Sequence, residues 1–337
     1  MKNINNFKNI VAAIIVATGL VSCERNSTFE DVKPSIAKIA VLNSDFSVLE
    51  TAAIKGGVAG VLSNFNPGDA SGHYTVFAPT NSAFARLGLN SDNLAALDQT
   101  FLTNTLLYAV SNGDLTSGSF LPANLSASAA GGLTRRFIDK GGDKYINGSK
   151  IIATNISAIN GTVHAIDKVL IATGADIVDS ALAVQSGKVF VKPELTYLVE
   201  AVLYANLAGP TSPLRTAPSL TVFAPTDQAF INLSVALSGL GVTKFTKPAD
   251  LRQLSVAQVT AVLTNCVLGG GKFTPELAQG LTPAFGGQNL MVSEFKDGTV
   301  TVKGANSIVP AANMVVPDIQ AKNGVIHIID SVLMPTL

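Results

Sequence analysis

The chain has 337 residues, which is long enough for two domains that each bury a core of their own without a metal or a disulfide. Its 23 basic and 23 acidic side chains balance, and only 14% of the residues are charged. Because no broad field of one sign is present, the chain is not predicted to bind nucleic acid.

The N-terminus reads as a targeting segment. Lys2 and Lys8 precede an apolar run over residues 10–21, and Ser22 and Cys23 follow it. The run is too short for a membrane-spanning helix, which needs about 20 residues. It resembles a bacterial lipoprotein signal peptide, whose cysteine receives a diacylglyceryl group before cleavage. We therefore expect residues 1–22 to be removed, Cys23 to be lipidated and residues 23–35 to form a tether. An ordinary cleaved signal with an incidental Cys23 is the alternative.

Each half of the remaining chain begins with a predicted amphipathic helix. Apolar residues recur at helical spacing over residues 46–62, where Gly56-Gly57 weakens the middle, and again over residues 195–207, where Gly209-Pro210 ends the pattern. Such stripes are expected to face a core.

A ten-residue block, Thr-Val-Phe-Ala-Pro-Thr-(Asn/Asp)-x-Ala-Phe, follows in each half, at residues 75–84 and 221–230. Its β-branched and aromatic residues predict a short strand that the proline ends, and the second threonine is placed to cap a helix. The phenylalanines are expected to be buried. The residues to which this block assigns a structural role are Thr75, Phe77, Pro79, Thr80, Phe84, Thr221, Phe223, Pro225, Thr226 and Phe230.

The rest of each half predicts a helix and then strands. The helices are expected near residues 97–110 and 254–268, followed by turns at residues 111–113 and 269–271. Asn160-Gly161 and Asn323-Gly324 each stand between apolar runs and predict a β-hairpin. The class is therefore α+β, with helices beside a largely antiparallel sheet.

A second repeated block contains the residues that invite an enzymatic interpretation. It pairs His164 with Asp167 and His327 with Asp330. Because side chains three positions apart on a strand point to opposite faces, neither histidine is expected to reach its own aspartate, and a structural role is predicted for all four. No catalytic, cofactor-binding or metal-binding residues are predicted, since the three histidines of the chain have no closely spaced cysteine or carboxylate set. Cys266 is expected to be a buried, inert thiol.

The two blocks, in the same order and twice, resemble the signature blocks of fasciclin-like domains, over residues 36–173 and 174–337. The resemblance implies that each domain is a β-sandwich wedge flanked by helices. It also implies extracellular or surface-anchored proteins that adhere to matrix, protein or polysaccharide. Many animal members carry a Tyr-His pair in mid-domain that is linked to receptor binding. Here the matching positions are Tyr108-Ala109 and Asn265-Cys266, so that mode of binding is not expected.

These features predict a non-catalytic adhesion or ligand-binding lipoprotein of the bacterial cell envelope, held in the outer membrane on its periplasmic or surface face. Its partner would be an envelope or extracellular protein or polysaccharide, contacted by loops that differ between the halves, at residues 64–73 and 238–252. Two alternatives remain open. One is a hydrolase that acts on polysaccharide through carboxylates, and the other is an accessory subunit of an envelope assembly.

Overall fold

Two similar α+β units follow one another along the chain. The computed structural model describes residues 33–122, 125–128, 132–185 and 195–336. The predicted signal peptide, Cys23 and most of the predicted tether lie outside these ranges. Within them, each half runs through helices, one buried strand, more helices and then a series of strands.

The first half contains these elements: α1 (Ile36–Leu42), α2 (Ser47–Lys55), α3 (Ala59–Ser63), β1 (Tyr74–Pro79), α4 (Asn81–Ala85), α5 (Gln99–Tyr108), β2 (Val110–Asn112), β3 (Leu125–Ser126), β4 (Arg135–Lys140), β5 (Asp143–Ile146), β6 (Ser149–Ala158) and β7 (Gly161–Ile166). A short strand, β8 (Ile171–Ala172), leads to the second half.

The second half contains these elements: α6 (Ile177–Gln185), α7 (Thr196–Tyr204), α8 (Pro213–Thr216), β9 (Leu220–Pro225), α9 (Asp227–Ala236), α10 (Val256–Asn265), β10 (Val267–Gly269), β11 (Gly280–Pro283), β12 (Asn289–Val292), β13 (Thr301–Lys303), β14 (Ala312–Ala321) and β15 (Gly324–Ile329). Both halves also contain short 3-10 turns.

The sheets repeat the same strand order. The first runs β2-β1-β7-β6-β5-β4-β3, and the second runs β10-β9-β15-β14-β13-β12-β11. Both predicted hairpins are confirmed, because β6 pairs with β7 and β14 pairs with β15 in antiparallel fashion. The sequence did not predict that the strands of the two repeated blocks pair side by side and in parallel, β1 with β7 and β9 with β15.

Each half has a core on both sides of its central strands. In β1, Val76 and Ala78 face the helices. Phe77 faces the other side and packs in a second apolar cluster, formed with the later strands of the same half. β9 divides its residues in the same way. Since the central strands are buried on both faces, they read as continuous apolar runs rather than as alternating patterns.

Several details differ from the sequence-based expectation. The predicted helix over residues 46–62 is broken at Gly56-Gly57 into α2 and α3, as the glycines suggested. Of the predicted turn at residues 111–113, the first two belong to the edge strand β2, which pairs with β1. Of the predicted turn at residues 269–271, only Gly269 is in a strand, as the last residue of β10, which pairs with β9. Ile54 and Leu203, which belong to the predicted apolar stripes, are exposed.

The linker between the halves also takes part in a sheet. β8 pairs in parallel with β14, so the chain leaving the first half adds a strand to the sheet of the second. One apolar cluster contains residues of both halves, namely Ile138 and Tyr145 from the first and Phe273 and Val325 from the second. The buried residues of the two larger cores form separate clusters among the described residues, and the partly buried Leu87 and Val169 pack against both.

Candidate functional site

The first repeated block forms a corner from strand to helix in both halves. Thr75 donates through Oγ1 to the carbonyl of Gly113 and accepts from the backbone N–H of Leu115. Thr221 makes the matching pair with Gly270 and Lys272. The threonine of the strand therefore fixes the loop that follows the edge strand, and Phe77 and Phe223 beside it are fully buried.

Both predicted helix caps are confirmed. The hydroxyl of Thr80 accepts from the N–H of Ala83 at 3.4 Å, and that of Thr226 accepts from the N–H of Ala229 at 3.2 Å. Pro79 and Pro225 are the last residues of their strands. Phe84 and Phe230 are buried, as expected.

The next residue of the block has a role that the sequence did not reveal. The Asn81 side chain accepts from the N–H of Val48 at 3.0 Å, and the Asp227 carboxylate accepts from the N–H of Tyr197 at 2.9 Å. Each therefore caps the start of the preceding amphipathic helix, α2 or α7, from across the fold. The N-cap residue of α7, Leu195, has no capping side chain of its own.

The histidine of the second block is the centre of the same network in each half. His164 Nδ1 accepts from the N–H of Asn155 at 3.2 Å, and its Nε2 donates to the carbonyl of Leu115 at 2.8 Å. His327 accepts from the N–H of Asp318 at 3.1 Å and donates to the carbonyl of Lys272 at 3.0 Å. Both ring nitrogens of each histidine are thus used by the backbone, which fixes the neutral tautomer protonated at Nε2.

Burial keeps these rings uncharged. Each imidazole is fully buried and stacks on the phenylalanine of the first block. The distance between ring centroids is 5.4 Å for His164 and Phe77 and 5.6 Å for His327 and Phe223. Loss of water contact lowers the pKa of His164 to about 4 and also lowers the pKa of His327. Asp318 Oδ1 lies 3.9 Å from His327 Nδ1, but that nitrogen already accepts a backbone N–H, so the neutral ring forms no ion pair.

The aspartates of the second block do not contact their own histidines, as expected, although each lies one residue beyond the end of its strand, β7 or β15, rather than on it. Asp167 accepts from the N–H of Lys150 at 2.7 Å and from the hydroxyl of Ser149. Asp330 accepts from the backbone and side-chain N–H groups of Asn313. Each carboxylate therefore holds the beginning of the neighbouring long strand, β6 or β14, and is no partner of its own histidine.

The residue that donates its N–H to the histidine sits in a β-bulge. Asn155 and Asp318 both adopt left-handed backbone angles, with φ of 58° and 67°. Their side chains bind the start of a 3-10 turn, since Asn155 accepts from the N–H of Ser117 and Asp318 accepts from the N–H of Thr274. The two halves differ at this position by a negative charge.

That charge is matched by a cation from the other half. Lys168 Nζ lies 2.7 Å from Asp318 Oδ2 and also donates to Thr274 Oγ1 and to the carbonyl of Gly298. Both side chains of this ion pair are buried. The ammonium has three acceptors for its three N–H bonds, which is the geometry a buried cation requires. In the second half, Ser331 stands where Lys168 stands in the first.

Tyr108, the remaining member of the degenerate Tyr-His positions, is also part of this contact. Its hydroxyl donates to the side chain of Gln320 in the second half and accepts from Asn147 at 2.7 Å. The ring is buried and burial raises the pKa of its hydroxyl. Tyr108 thus faces the other half of the chain and not solvent.

Arg135 and Arg136 on β4 complete the surroundings. Arg136 forms an ion pair with Glu276 of the second half and lies over the ring of Phe273 at 4.7 Å. Arg135 is fully buried and donates to backbone carbonyls and serine hydroxyls, while burial lowers its pKa to about 10. No sequence signal indicated that Arg135 is buried, since a pair of arginines ordinarily predicts a solvated surface.

A cavity of about 160 Å³ lies between the halves. Arg86 and Lys168 supply its charged lining, together with apolar residues such as Ile171 and Met314, and its described lining includes no carboxylate. Arg86 lies 3.6 Å from Asp167 and also contacts the carbonyl of Asp297. In the part of the chain that the structure describes, this cleft does not provide the two facing carboxylates that a glycosidase needs.

Cys266 is buried, and burial raises the pKa of its thiol to about 12, as expected for an inert residue. Cys23 lies outside the described residues. Among those that are described, no three histidine, cysteine or acidic side chains come together as metal ligands. The same described ranges contain no helix with the length and apolar character needed to span a membrane.

Comparison with known proteins agrees with this architecture. The model of the fasciclin domain matches residues 44–172 and 193–335, which together make up most of the chain. The protein therefore belongs to the fasciclin-domain family and contains two such domains in tandem, each a wedge-like sheet with flanking helices.

Several proteins share part of this sequence. Protein sll1483 of Synechocystis is 32% identical over 143 residues, covering 42% of this chain and 75% of that protein. Human periostin is 28% identical over 276 residues, covering 79% of this chain and 29% of periostin. Immunogenic protein MPB70 of Mycobacterium bovis is 31% identical over 102 residues, covering 30% of this chain and 50% of that protein. The chain thus spans half of MPB70 and under a third of periostin.

A solved structure is also similar. It is a FAS1 domain pair from the insect cell adhesion molecule fasciclin I, with a TM-score of 0.35, 16% identity, and coverage of 88% of this chain and 95% of that chain.

Proposed function

We propose that this protein is a non-catalytic adhesion or ligand-binding lipoprotein of the bacterial cell envelope. In this proposal Cys23 carries the lipid, the outer membrane holds the protein, and the two domains bind an envelope or extracellular protein or polysaccharide. The observation that carries the proposal is the use of both repeated blocks for architecture. His164 and His327 are buried, neutral and fully bonded to backbone groups, which leaves recognition to the loops.

The loops that differ between the halves support this assignment. In the first half, residues 64–73 are held by Asn66, whose side chain donates to the carbonyl of His73. In the second, Asp250 accepts from Thr246 and orders residues 238–252. Each ordered loop presents a large apolar side chain to solvent, Phe65 with 57% exposure and Leu240 with 72%. Apolar side chains on a preordered loop favour binding at low entropic cost.

A binding experiment tests the recognition part of the proposal. The mature protein is applied to an array of bacterial and matrix glycans and to immobilised envelope proteins. A partner that is bound by the wild type should be bound more weakly by Phe65→Ser or Leu240→Ser, by about tenfold if the side chain lies at the centre of the interface. Leu281→Ser, which changes a similarly exposed leucine on β11, should leave binding unchanged. Equal weakening by all three variants would contradict the assignment to these loops.

The anchor is tested separately by cell fractionation with protease accessibility. Wild-type protein should fractionate with membranes, whereas Cys23→Ser should be released, because a single protein surface binds far more weakly than two or more acyl chains. Membrane retention of Cys23→Ser at wild-type levels would rule out the lipid anchor. Sensitivity of intact cells to added protease would place the domains on the outer face.

A further inference from the structure

An apolar groove opens at the surface of the first half, beside the point where the described chain begins. It has a volume of about 180 Å³ and lies between α1, α2 and the central strands. Val76, Ala78 and Val163 form its floor, while Val41 and Ile54 stand on its rim. These two rim residues are 50% and 66% exposed, and Leu42 next to them is 51% exposed.

The second half exposes aliphatic residues at the same two places. Ile36 and Ile177 donate their N–H to Asn160 and Asn323 of the second block, and this shared contact places α1 and α6 in register. Val41 then corresponds to Leu182, which is 38% exposed. The caps made by Asn81 and Asp227 likewise place Ile54 opposite Leu203, which is 54% exposed.

Because exposed aliphatic residues recur at matching positions in both halves, they indicate a contact surface more strongly than single exposed side chains would. Isolated surface leucines and valines are common and need no explanation. Here two halves that have diverged in sequence keep an aliphatic residue at both rim positions, although water favours polar side chains there. A grouped apolar surface of this kind ordinarily marks a contact. A matching groove in the second half is lined by Leu182 and Leu203 among others. Because residues 186–194 of that half are not described, the inference rests on the groove of the first half.

The position of the first groove identifies its contact. Nine residues lie between Cys23 and Lys33, and the ten residue steps from one to the other span at most about 36 Å in a fully extended chain. α1, which carries Val41 and Leu42, begins three residues later. Lys33 and Lys38 are exposed at this end, and among the described residues that line the groove Glu50 is the only acidic one. A tether this short keeps the groove and its exposed rim residues close to the membrane that carries the lipid, which gives them a high effective concentration there.

We propose that the face formed by α1 and α2, with Val41, Leu42 and Ile54 at its centre, rests on the phospholipid bilayer that holds the lipidated Cys23. This inference depends on the lipid anchor of the proposed function and adds the orientation of the first domain. The aliphatic side chains enter the boundary between headgroups and acyl chains, and Lys33 and Lys38 lie among anionic headgroups. The lipid and the protein surface then both contribute to membrane binding, and each increases the effect of the other.

The intact lipoprotein provides the test. Single cysteines are introduced at Val41→Cys or, as the control, at Leu281→Cys, and are labelled with a polarity-sensitive fluorophore, because Cys266 is buried and unreactive. The labelled protein is placed in vesicles of phosphatidylethanolamine and phosphatidylglycerol that contain a spin-labelled phospholipid. We expect quenching at position 41 to exceed that at position 281 by about threefold or more.

A second measurement uses the mature chain, which begins at residue 23, with Cys23→Ser and the same vesicles without the quencher. Adding Val41→Asp and Ile54→Asp should weaken vesicle binding by about tenfold or more, whereas adding Leu281→Asp should not. Circular dichroism and urea unfolding of each variant confirm that it is folded.

The outcomes distinguish the inference from the anchor. If Cys23→Ser releases the protein from cell membranes but the label at position 41 stays as unquenched as the control, the anchor stands and the membrane-facing surface is wrong. If the label is shielded without lipid quenching and the protein sediments as a dimer, the groove contacts a second copy and the inference is overturned. Quenching confined to position 41 supports it.

Discussion

At the scale of single residues, the two repeated histidines connect distant backbone segments of each domain and make its stability depend on pH. A neutral imidazole can donate and accept at once, and in both halves it joins a bulge in one strand to a loop carbonyl across the sheet. Such a group stabilises the fold only while it is uncharged, since protonation would place an unpaired cation in the core. The same residue is therefore a structural element and a source of acid sensitivity.

The pH dependence of stability follows from this. The pKa of His164 falls from its ordinary value of 6.5 to about 4 on folding. Between these values the unfolded chain binds a proton that the folded chain excludes, so stability is fully present above 6.5 and decreases as the pH falls towards 4. We expect His164 to account for a loss of about 2 kcal/mol between pH 7 and pH 5. Urea unfolding at both pH values, compared with His164→Gln, measures it, and an equal loss in the variant would contradict the assignment.

At the scale of elements, the two blocks work because their strands lie side by side. Gly161 and Gly324 open β7 and β15 with φ of 145° and 156°, where the parallel neighbour passes very closely. A Cβ atom on Gly161 would lie 1.9 Å from the carbonyl oxygen of Tyr74. The Asn-Gly sequence therefore serves two purposes, the hairpin turn and the close approach of the strand beside it.

Replacing this glycine is expected to be severe. Gly161→Ala should lower the free energy of unfolding by roughly 3 kcal/mol or more, because the methyl group meets backbone that cannot move without breaking the sheet. Gly174→Ala is the matched control: it also has positive φ, at 64°, but open space around the added Cβ. That change should cost only about 1 kcal/mol. Denaturant unfolding compares the two, and similar losses would show that backbone strain alone decides the effect.

The capping of α7 by Asp227, a residue outside that helix, gives a second prediction at this scale. Asp227→Ala removes the acceptor for the N–H of Tyr197 and for the hydroxyl of Thr196. We expect a loss of about 1–2 kcal/mol, located at the start of α7. Gln228→Ala, one residue further on the exposed side of α9, should change stability by less than about 0.5 kcal/mol. Hydrogen exchange of the first turn of α7 should increase in the first variant alone.

At the scale of the whole molecule, the halves are joined by polar contacts that would be costly if separated. Asp318 and Lys168 compensate each other in a site that excludes water, and Gln320 binds Tyr108 beside them. β8 adds a backbone connection through its pairing with β14. The two domains are therefore expected to behave as one cooperative unit, unlike domains joined by a loose linker.

Calorimetry tests this coupling. Lys168→Ala leaves the Asp318 carboxylate buried without its cation, which should cost about 3–5 kcal/mol and divide a single unfolding transition into two. The double variant Lys168→Met with Asp318→Asn removes both charges and should recover part of that loss. Lys322→Ala, at an exposed lysine of the second half, is the control. A single unchanged transition in Lys168→Ala would show that the ion pair does not couple the domains.

Much of this architecture could be predicted from the sequence because it depends on local chemistry repeated in order. Strand-ending prolines, threonine caps, Asn-Gly hairpins and buried phenylalanines act within a few residues of themselves. Two copies of one pattern leave little freedom in their interpretation. Strand parity also predicted that each histidine would not contact its own aspartate, and the structure agrees, although both aspartates lie one residue beyond their strands.

Tertiary structure alone decided the contacts between residues that are far apart in the chain. Asn81 and Asp227 each cap a helix whose capped N–H lies thirty or more residues earlier in the chain. Asp318 differs from Asn155 by a single negative charge. Only the tertiary structure shows that Lys168 of the other domain pairs with that charge. Local propensity cannot report such partners, because the energy of a buried charge or cap depends on which group the fold brings within 3 Å and on how completely water is excluded.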